Sequence, residues 1–392
     1  MKILFLHEVG YLEKPIFEMH EFPEHLAARG HEVAFADYPE TRSHESSAEF
    51  GRVIEGRVIG SARLRLFSQR VVAPGIVGRL IAVFLFPFFF YRVLRDFNPD
   101  IVVSFAVPTS GWQAAILCKV QRRPLLFRAL DVSHKIRRTA FSPLVLLAER
   151  IVYKNSTWVS CNNAAMRDYC LKLGAPKERS SVELPVLDLA HFHSCKSERQ
   201  RMRAKLGIES DATVIVYMGS FFYFSGLDQV IWQLAKVINK PQLVLIGGGE
   251  QEVELRKLVT SLKLEDYVMF TGFVGFDELP AYLSISDVAI NPMLPSLVSN
   301  SALPNKVLQY MASSLPVVST DLKGLSSLFP SPEGLSLVSS PEEVLEKSIS
   351  IAADANLSLM GKANKKLVDE TFQKAKSVAA FEQLLTQVRS SE

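Results

Sequence analysis

The sequence predicts an α/β protein made of two doubly wound parallel sheets. The chain has 392 residues, a length that suits two or three domains of about 150 residues each. A strand–loop–helix–strand order occurs at the N-terminus and begins again near residue 213. The polar, highly charged segment 193–212 is predicted to be a linker between these two series. We therefore expect an N-terminal domain at 1–195 and a C-terminal domain at 207–370.

The first domain opens with an apolar run at residues 2–6, which is typical of a strand buried on both faces. A helix is predicted over 16–29, ended by Gly30, and a second strand over 32–36. Residues 40–75 are rich in arginine and are expected to be irregular. The remaining strands are predicted at 100–105, 124–128 and 158–160, and the remaining helices at 111–121, 142–154 and 163–173.

The second domain repeats this order of elements. Its strands are predicted at 213–218, 242–246, 267–270, 287–290 and 316–319. Its helices are predicted at 227–238, 250–262, 277–284 and 304–313. The tail from about 358 to 389 has a helical pattern. We expect its last part, 371–392, to pack back on the N-terminal domain.

Composition excludes some classes of protein. Apolar residues make up 48% of the chain and charged residues 22%, so the chain is not mainly disordered. The four cysteines, at positions 118, 161, 170 and 195, form no close pair in the sequence. This spacing excludes a disulfide framework or a zinc knuckle and favours a reducing compartment. We expect a cytoplasmic protein.

Positive charge is concentrated in one region of the first domain. Residues 51–150 contain 16 Lys or Arg against 5 Asp or Glu, although the whole chain carries only +3. Such an excess suggests that the domain meets an anionic surface or an anionic substrate. A nucleic acid is another partner that the charge allows, but no recognition motif accompanies it, and we expect none.

An apolar segment at 79–95 lies within this basic region and has arginines at both ends. Its uncharged stretch, 80–91, is shorter than the roughly 20 residues that a membrane-spanning helix needs. Apolar surface flanked by arginines suits the headgroup boundary of an anionic membrane, so we expect peripheral membrane contact. The alternative is a helix buried between sheet and loop, with a kink at Pro87. The segment's aromatic residues are Phe84, Phe86, Phe88, Phe89, Phe90 and Tyr91.

Two glycine-rich turns and one lysine suggest a phosphate site in the second domain. One turn runs from Gly219 to Gly226, and the other is Gly247-Gly248-Gly249. Glycine lets the backbone approach a ligand, and free amides at a helix start suit a phosphate. Lys306 falls in the first turn of a predicted helix, where a cation is unfavourable unless it faces an anion. The alternatives are ordinary tight turns, for which one glycine would suffice, and an exposed lysine.

In this order and at these spacings, the three pieces resemble the C-terminal half of a GT-B glycosyltransferase of family 4. The family's helix-and-strand motif is present as PNKVLQYMASSLPVVST, from Pro304 to Thr320. In the N-terminal half, the family's F-P-E-x-L-A-x-x-G-H-E-V pattern is present from Phe22 to Val33. The family's G-V-D-x-x-x-F connector corresponds to Pro185–Phe192. The resemblance therefore covers nearly the whole chain.

The resemblance implies two Rossmann-like domains that face each other across a cleft. It also implies sugar transfer from a nucleotide sugar with retention of configuration, without a metal or other cofactor. The leaving diphosphate then accepts the acceptor's proton, and catalysis depends on stabilising phosphate charge and aligning the partners. We expect a lipid-linked or glycan acceptor in cell-surface glycan or glycolipid synthesis, with the inner face of the cell membrane as the place of action.

Site residues follow from the same resemblance. His134 and Asp131 come after the strand at 124–128 and are expected to act in catalysis together with Lys306. A surface histidine in a basic loop is the alternative for His134. His7 and Glu8 are expected to have core or loop roles. The residues expected to bind the donor are Gly10, Gly219, Ser220, Ser225, Gly247, Gly248, Gly249, Asn305, Lys306 and Gln309.

The sequence departs from the family pattern at two places. The family's two glutamates, eight residues apart, are replaced by Ser301 and Gln309. The basic residues of its first loop are replaced by Ser220 and Ser225. The Gln309 amide oxygen accepts a ribose hydroxyl much as a carboxylate does. These departures keep a second hypothesis open: a non-catalytic relative that binds a nucleotide sugar or a partner and regulates another glycosyltransferase.

Overall fold

The computed structural model describes residues 1–14, 16–38, 50–73, 75–136, 140–193, 196–330 and 332–391. The chain forms two compact units. Unit 1 consists of Met1–Leu187 together with Phe372–Glu392, and unit 2 consists of Asp188–Thr371. Each unit has one sheet, and every strand pair is parallel except one at the edge of unit 1. The predicted fold class, two α/β units built on parallel sheets, is confirmed.

Unit 1 contains an eight-stranded sheet. Its strands are β1 (Lys2–Leu6), β2 (Glu32–Asp37), β3 (Arg52–Glu55), β4 (Arg63–Ser68), β5 (Ile101–Ser104), β6 (Leu125–Ala129), β7 (Trp158–Cys161) and β8 (Ser180–Val182). Its helices are α1 (Glu18–Ala28), α2 (Gly75–Phe97), α3 (Gly111–Val120), α4 (Ser133–Ile136), α5 (Ser142–Asn155) and α6 (Ala164–Lys172). The spatial order is β3-β4-β2-β1-β5-β6-β7-β8, so the chain reverses its direction across the sheet between β1 and β5.

Unit 2 contains a six-stranded sheet in the order β11-β10-β9-β12-β13-β14. Its strands are β9 (Val214–Met218), β10 (Gln242–Ile246), β11 (Val268–Gly272), β12 (Val288–Asn291), β13 (Val317–Thr320) and β14 (Leu335–Val338). Its helices are α7 (Lys196–Lys205), α8 (Leu227–Lys236), α9 (Glu252–Ser261), α10 (Leu279–Ser284), α11 (Leu297–Ser301), α12 (Asn305–Ala312), α13 (Lys323–Ser326), α14 (Pro341–Ala352) and α15 (Leu357–Thr371).

The last helix, α16 (Lys374–Arg389), belongs to unit 1. Phe381 stacks on Phe22 of α1, with the ring centroids 4.1 Å apart. At the surface, the Glu382 carboxylate pairs with the Arg29 guanidinium at 2.7 Å. An aromatic contact in the core and an ion pair at the rim therefore hold the chain's end on α1.

The expectation that residues 40–75 are irregular is wrong for part of that range. Strands β3 and β4 pair in antiparallel register, with Arg52 opposite Leu66. Leu64 and Leu66 are buried, while Arg63 and Arg65 alternate with them and point away from the core. Alternation of buried and exposed residues is the pattern of a half-buried strand. The many arginines in this segment made the pattern hard to recognise in the sequence. Residues 40–49 lie outside the described residues.

The expectation of a linker at 193–212 is also wrong, because α7 lies in it. Arg199 and Arg203 of this helix both pair with Asp287, at 2.6 and 3.1 Å. Arg203 is buried and also donates to the main-chain oxygens of Ile285 and Ala212. The arginine charges that suggested a solvated linker instead attach α7 to unit 2. Their partners, Asp287 and the Ile285 oxygen, are more than 80 residues away in the sequence.

The length argument against a membrane-spanning segment does not hold for α2. This helix runs for 23 residues through Arg79 and Pro87, and among the described residues it alone is long and apolar enough to cross a membrane. One stripe packs into unit 1, however: Gly78, Ala82, Phe86, Phe90, Val93, Leu94 and Phe97 are buried. The opposite face exposes Ile76, Val77, Leu80, Phe84, Leu85, Phe88 and Tyr91.

Two cysteines that are nine residues apart in the sequence have neighbouring side chains. The Sγ atoms of Cys161 and Cys170 lie 3.8 Å apart, both buried, because α6 packs on the end of β7. Burial and the neighbouring thiol raise the pKa of Cys170 well above its usual value. The Cys170 thiol is therefore a poor nucleophile within the core. Cys195 lies outside the described residues.

Candidate functional site

A cavity of about 520 Å³ opens in unit 1 where β1, β5 and β6 end. Its walls include residues 7–9 after β1, 107–109 after β5 and 130–131 after β6. The chain reverses direction across the sheet between β1 and β5, so the cavity lies at the topological switch point. In open α/β sheets, ligands bind at this position, beyond the carboxyl ends of the strands.

His134 and Asp131, the residues singled out from the sequence, both line this cavity. The His134 Nδ1 atom lies 2.7 Å from the Glu149 carboxylate, which is completely buried. The other Glu149 oxygen accepts the Ser133 main-chain N–H at 2.8 Å, and the Tyr169 hydroxyl donates to the same carboxylate at 2.8 Å. The ring is therefore fixed through Nδ1, which leaves Nε2 as the nitrogen for a ligand.

Glu149 escaped sequence reasoning, although it positions the cavity's histidine. It lies 15 residues after His134, on α5, and only the packing of α4 against α5 brings the two together. A buried carboxylate in a helix pattern is the signal that could have found it, because buried glutamates are almost always paired.

We expect Glu149→Gln to lower the kcat of a reaction that uses this cavity by about tenfold to a hundredfold. That range corresponds to about 1.5–3 kcal/mol, the net value of one hydrogen bond to a charged group. The isosteric amide keeps the packing but turns an NH₂ or a weaker acceptor toward Nδ1. Steady-state kinetics on folded protein measure the loss. Tyr169→Phe is the comparison variant: it removes the hydroxyl's bond to Glu149 and its 3.1 Å contact with His134 Nδ1, but leaves the Glu149 carboxylate beside that nitrogen. An equal loss in both variants would contradict a positioning role specific to Glu149.

Asp131 remains accessible from the cavity. Partial removal from bulk water and the nearby Glu18 carboxylate raise its pKa. Its carboxyl group therefore holds a proton to a higher pH than an ordinary aspartate does. It can donate or accept a hydrogen bond toward a polar ligand in the cavity.

A buried ion pair lies beside the cavity. Arg128 of β6 is about 1% exposed and donates through Nε to the Glu18 carboxylate and through Nη1 to Ser160 Oγ, the latter at 2.8 Å. Its Nη2 atom has no hydrogen-bond partner in the described part of the chain. Arg128 also lines the cavity, so the buried pair with Glu18 forms part of its wall.

His7 and Glu8 contribute to the cavity wall through structural contacts. One Glu8 carboxylate oxygen accepts the main-chain N–H groups of Thr109 and Ser110 at 2.6 and 2.7 Å, which joins β1 to the start of α3. Burial raises the pKa of Glu8 and lowers the pKa of His7 to about 3, so His7 is neutral. Gly10 is not part of the lining, and a Cβ there would meet only the flexible end of Glu13.

The two glycine-rich turns of unit 2 pack directly against each other. Gly219 and Gly247 have φ of +134° and +124°, and a Cβ on Gly247 would lie 2.2 Å from the Gly219 oxygen. Gly249 also has a positive φ and lies against Phe221, whose N–H donates to Gly248 O at 2.9 Å. The requirements of a tight turn therefore explain both Gly247 and Gly249. From the sequence, such a turn was expected to need only one glycine.

We expect Gly247→Ala to lower the free energy of unfolding of unit 2 by about 2–4 kcal/mol. Backbone strain contributes about 1–3 kcal/mol, and displacement of the neighbouring turn contributes the rest. Urea titration followed by far-UV circular dichroism measures the change. Gly272→Ala is the matched control: its φ is +71°, but nothing lies within 4 Å of an added Cβ. Equal destabilisation of both variants would show that the close approach of the two turns is unimportant.

Lys306 reaches these turns from the start of α12. Its Nζ atom donates to the Tyr217 hydroxyl at 2.7 Å and would lie 3.0 Å from a Cβ on Gly219. Burial lowers the pKa of Lys306 to about 7. The predicted helix start is shifted: Pro304 is the N-cap, and Lys306 is the second helical residue. The structure therefore brings together Lys306, Gly219 and Gly247, as the sequence indicated.

The other predicted donor residues have more varied surroundings. Asn305 and Ser220 are exposed, Gln309 is half-buried on α12, and Ser225 is buried at the end of its turn. Sequence reasoning missed Tyr310, whose hydroxyl accepts the Met218 main-chain N–H at 2.6 Å. This bond attaches α12 to the end of β9 and so fixes the position of Lys306.

Comparisons with known proteins find similarity to glycosyltransferases along most of the chain. The family description "Glycosyltransferase Family 4" matches residues 19–190, and "Glycosyl transferases group 1" matches residues 212–354. The putative teichuronic acid biosynthesis glycosyltransferase TuaC of Bacillus subtilis is 24% identical over 60% of this chain and 56% of its own. The chain thus spans about half the length of the curated relatives it matches.

Two solved structures have the same fold at low sequence identity. Anabaena HepE in complex with UDP superposes with a TM-score of 0.76 at 17% identity, over 99% of this chain and 100% of that one. Sucrose-phosphate synthase from Thermosynechococcus elongatus superposes with a TM-score of 0.78 at 19% identity, over all of both chains.

Proposed function

Because the chain belongs to the GT-B glycosyltransferases of group 1, family 4, we propose that it transfers a sugar from a nucleotide-sugar donor to a lipid-linked or glycan acceptor with retention of configuration. The product is a cell-surface glycan or glycolipid. The observation that carries the proposal is Lys306, a half-buried cation beside two glycine-rich turns at the ends of parallel strands. Such a group is unfavourable without an anionic ligand.

The donor's diphosphate lies against unit 2 in this proposal. Lys306 neutralises its charge, and the N–H groups of the glycine-rich turns supply hydrogen bonds. The superposable HepE structure was obtained with UDP, which supports a uridine nucleotide as the first to test. Gln309, one turn further along α12, is proposed to accept a ribose hydroxyl.

In the transfer step, the bond between the sugar's anomeric carbon and the diphosphate oxygen breaks. A bond from that carbon to the acceptor's hydroxyl oxygen forms, and the hydroxyl proton passes to the departing diphosphate. Lys306 stabilises the charge that develops on the phosphate. His134 Nε2 and Asp131 orient the acceptor in the cavity of unit 1. No metal ion takes part in this scheme, so excess chelator is expected to leave the rate unchanged.

Peripheral contact with an anionic membrane is proposed through the exposed face of α2. Apolar side chains such as Phe84 and Phe88 are each 76% exposed on that face. The surrounding region carries 16 basic residues against 5 acidic ones. Together they favour the headgroup boundary of anionic lipids, and we propose the inner face of the cell membrane as the place of action.

A thermal-shift panel of UDP, GDP, ADP and their sugars tests the donor first. A nucleotide present at 100 times its dissociation constant stabilises the fold by about 2.7 kcal/mol, which is easily seen. We expect one nucleotide class to bind, and its sugar form to release nucleoside diphosphate when membrane lipid extract is added. Binding without any turnover on lipid or glycan acceptors would favour the non-catalytic alternative. Absence of binding by every nucleotide would overturn the proposal.

A further inference from the structure

An apolar groove of about 460 Å³ adjoins the cavity of unit 1. It runs between α2, α3 and α5, and its walls include Leu80, Val83, Trp112 and Leu147. Five residues line both the groove and the cavity: Arg79, Pro108, Thr109, Phe141 and Val145. The two spaces therefore form one continuous surface with a polar end and an apolar end.

Arg79 lies at the junction of these two ends. Its guanidinium donates to the Glu8 main-chain oxygen at 2.7 Å and lies over the Tyr38 ring at 4.4 Å. Among the described residues no carboxylate forms an ion pair with it, so it retains its charge for a ligand. A guanidinium at the boundary between an apolar and a polar surface complements a phosphate that joins a hydrocarbon chain to a polar headgroup.

We propose that the groove binds the hydrocarbon chain of a lipid phosphate, whose phosphate contacts Arg79 and whose polar headgroup enters the cavity beside His134 and Asp131. The occupant is one lipid-linked acceptor molecule, extracted from its bilayer. The inference depends on the proposed function only in calling this lipid the acceptor. It differs from membrane contact through Phe84 and Phe88, which lie on the exposed face of α2 but are not part of the groove. Leu80 belongs to both surfaces, whereas Leu147 on α5 belongs to the groove alone.

Dodecyl phosphate, used below its critical micelle concentration, is the probe, and fluorescence of Trp112 in the groove wall is the readout. We expect saturable binding without vesicles and at least a tenfold weaker affinity in Leu80→Glu and Leu147→Glu, since both side chains are exposed and a carboxylate there repels an alkyl chain. Arg79→Gln is expected to remove the preference for dodecyl phosphate over dodecanol. Trp112→Phe identifies the signal, and thermal melting confirms folding of each variant.

Phe84→Glu and Phe88→Glu are the matched controls, because they place the same charge on α2 outside the groove. Binding that persists in the groove variants, or that requires vesicles and is lost only in the control variants, would overturn the inference. Neither arm involves a nucleotide. Lipid binding without any sugar transfer would therefore contradict the proposed function but not lipid binding in the groove. Transfer to soluble glycans alone would contradict the assignment of the bound lipid as the acceptor.

Discussion

Lys306→Ala is expected to lower kcat/KM for the proposed sugar transfer by about 10²–10³-fold, the usual cost of removing one group that stabilises a developing anion. The cation donates to Tyr217 beside the turns at Gly219 and Gly247, and the sequence has serines where the family places further basic residues. The measurement is nucleoside-diphosphate release from the donor that the nucleotide panel identifies. Lys257→Ala, an exposed lysine on α9, is the matched control.

The same residue makes donor binding depend on pH. Burial lowers the pKa of Lys306 to about 7, so the free protein carries the charge below that pH and loses it above. A bound diphosphate favours the charged form and raises this pKa, so donor affinity falls as pH rises from about 7 toward the higher value of the complex. Lys306→Arg remains charged throughout and is expected to give a flat profile. A flat profile in the unmodified protein would contradict the assignment.

Arg128→Met is expected to destabilise unit 1 by about 3–5 kcal/mol, because it leaves the Glu18 carboxylate buried without its partner. Both side chains are almost fully buried, at 0% and 6% exposure. Hydrogen-exchange protection of the β6 amides reports on this unit alone, which matters in a chain with two compact units. Adding Glu18→Gln to Arg128→Met is expected to recover much of the loss, since the unpaired charge is then removed.

The exposed pair Lys2–Glu32 provides the comparison for this prediction. Glu32→Gln breaks it and is expected to cost at most about 1 kcal/mol, because solvent screens both charges. If Arg128→Met were as mild as Glu32→Gln, the buried pair would not be an important part of the cavity's support.

The sequence alone was sufficient to predict the parallel-sheet architecture and to single out the residues proposed to bind phosphate. Apolar runs such as residues 2–6 and 242–246 become buried central strands with those bounds, because a strand covered on both faces has little choice of side chain. Lys306 could be singled out from its local position, since a cation in the first turn of a helix is unfavourable unless it faces an anion. Motif spacing then identified the family.

Tertiary structure decided what depends on distant partners. The arginines that suggested a solvated linker attach α7 to unit 2 through ion pairs with Asp287. Strand β4 could be recognised only from the burial of Leu64 and Leu66. Glu149 could be assigned to His134 only after α4 and α5 had packed. The groove beside Arg79 likewise exists only between three helices. The local period of apolar residues shows which face of a helix or strand is buried. Packing decides which side chains of different elements come into contact, and functional sites consist of such contacts.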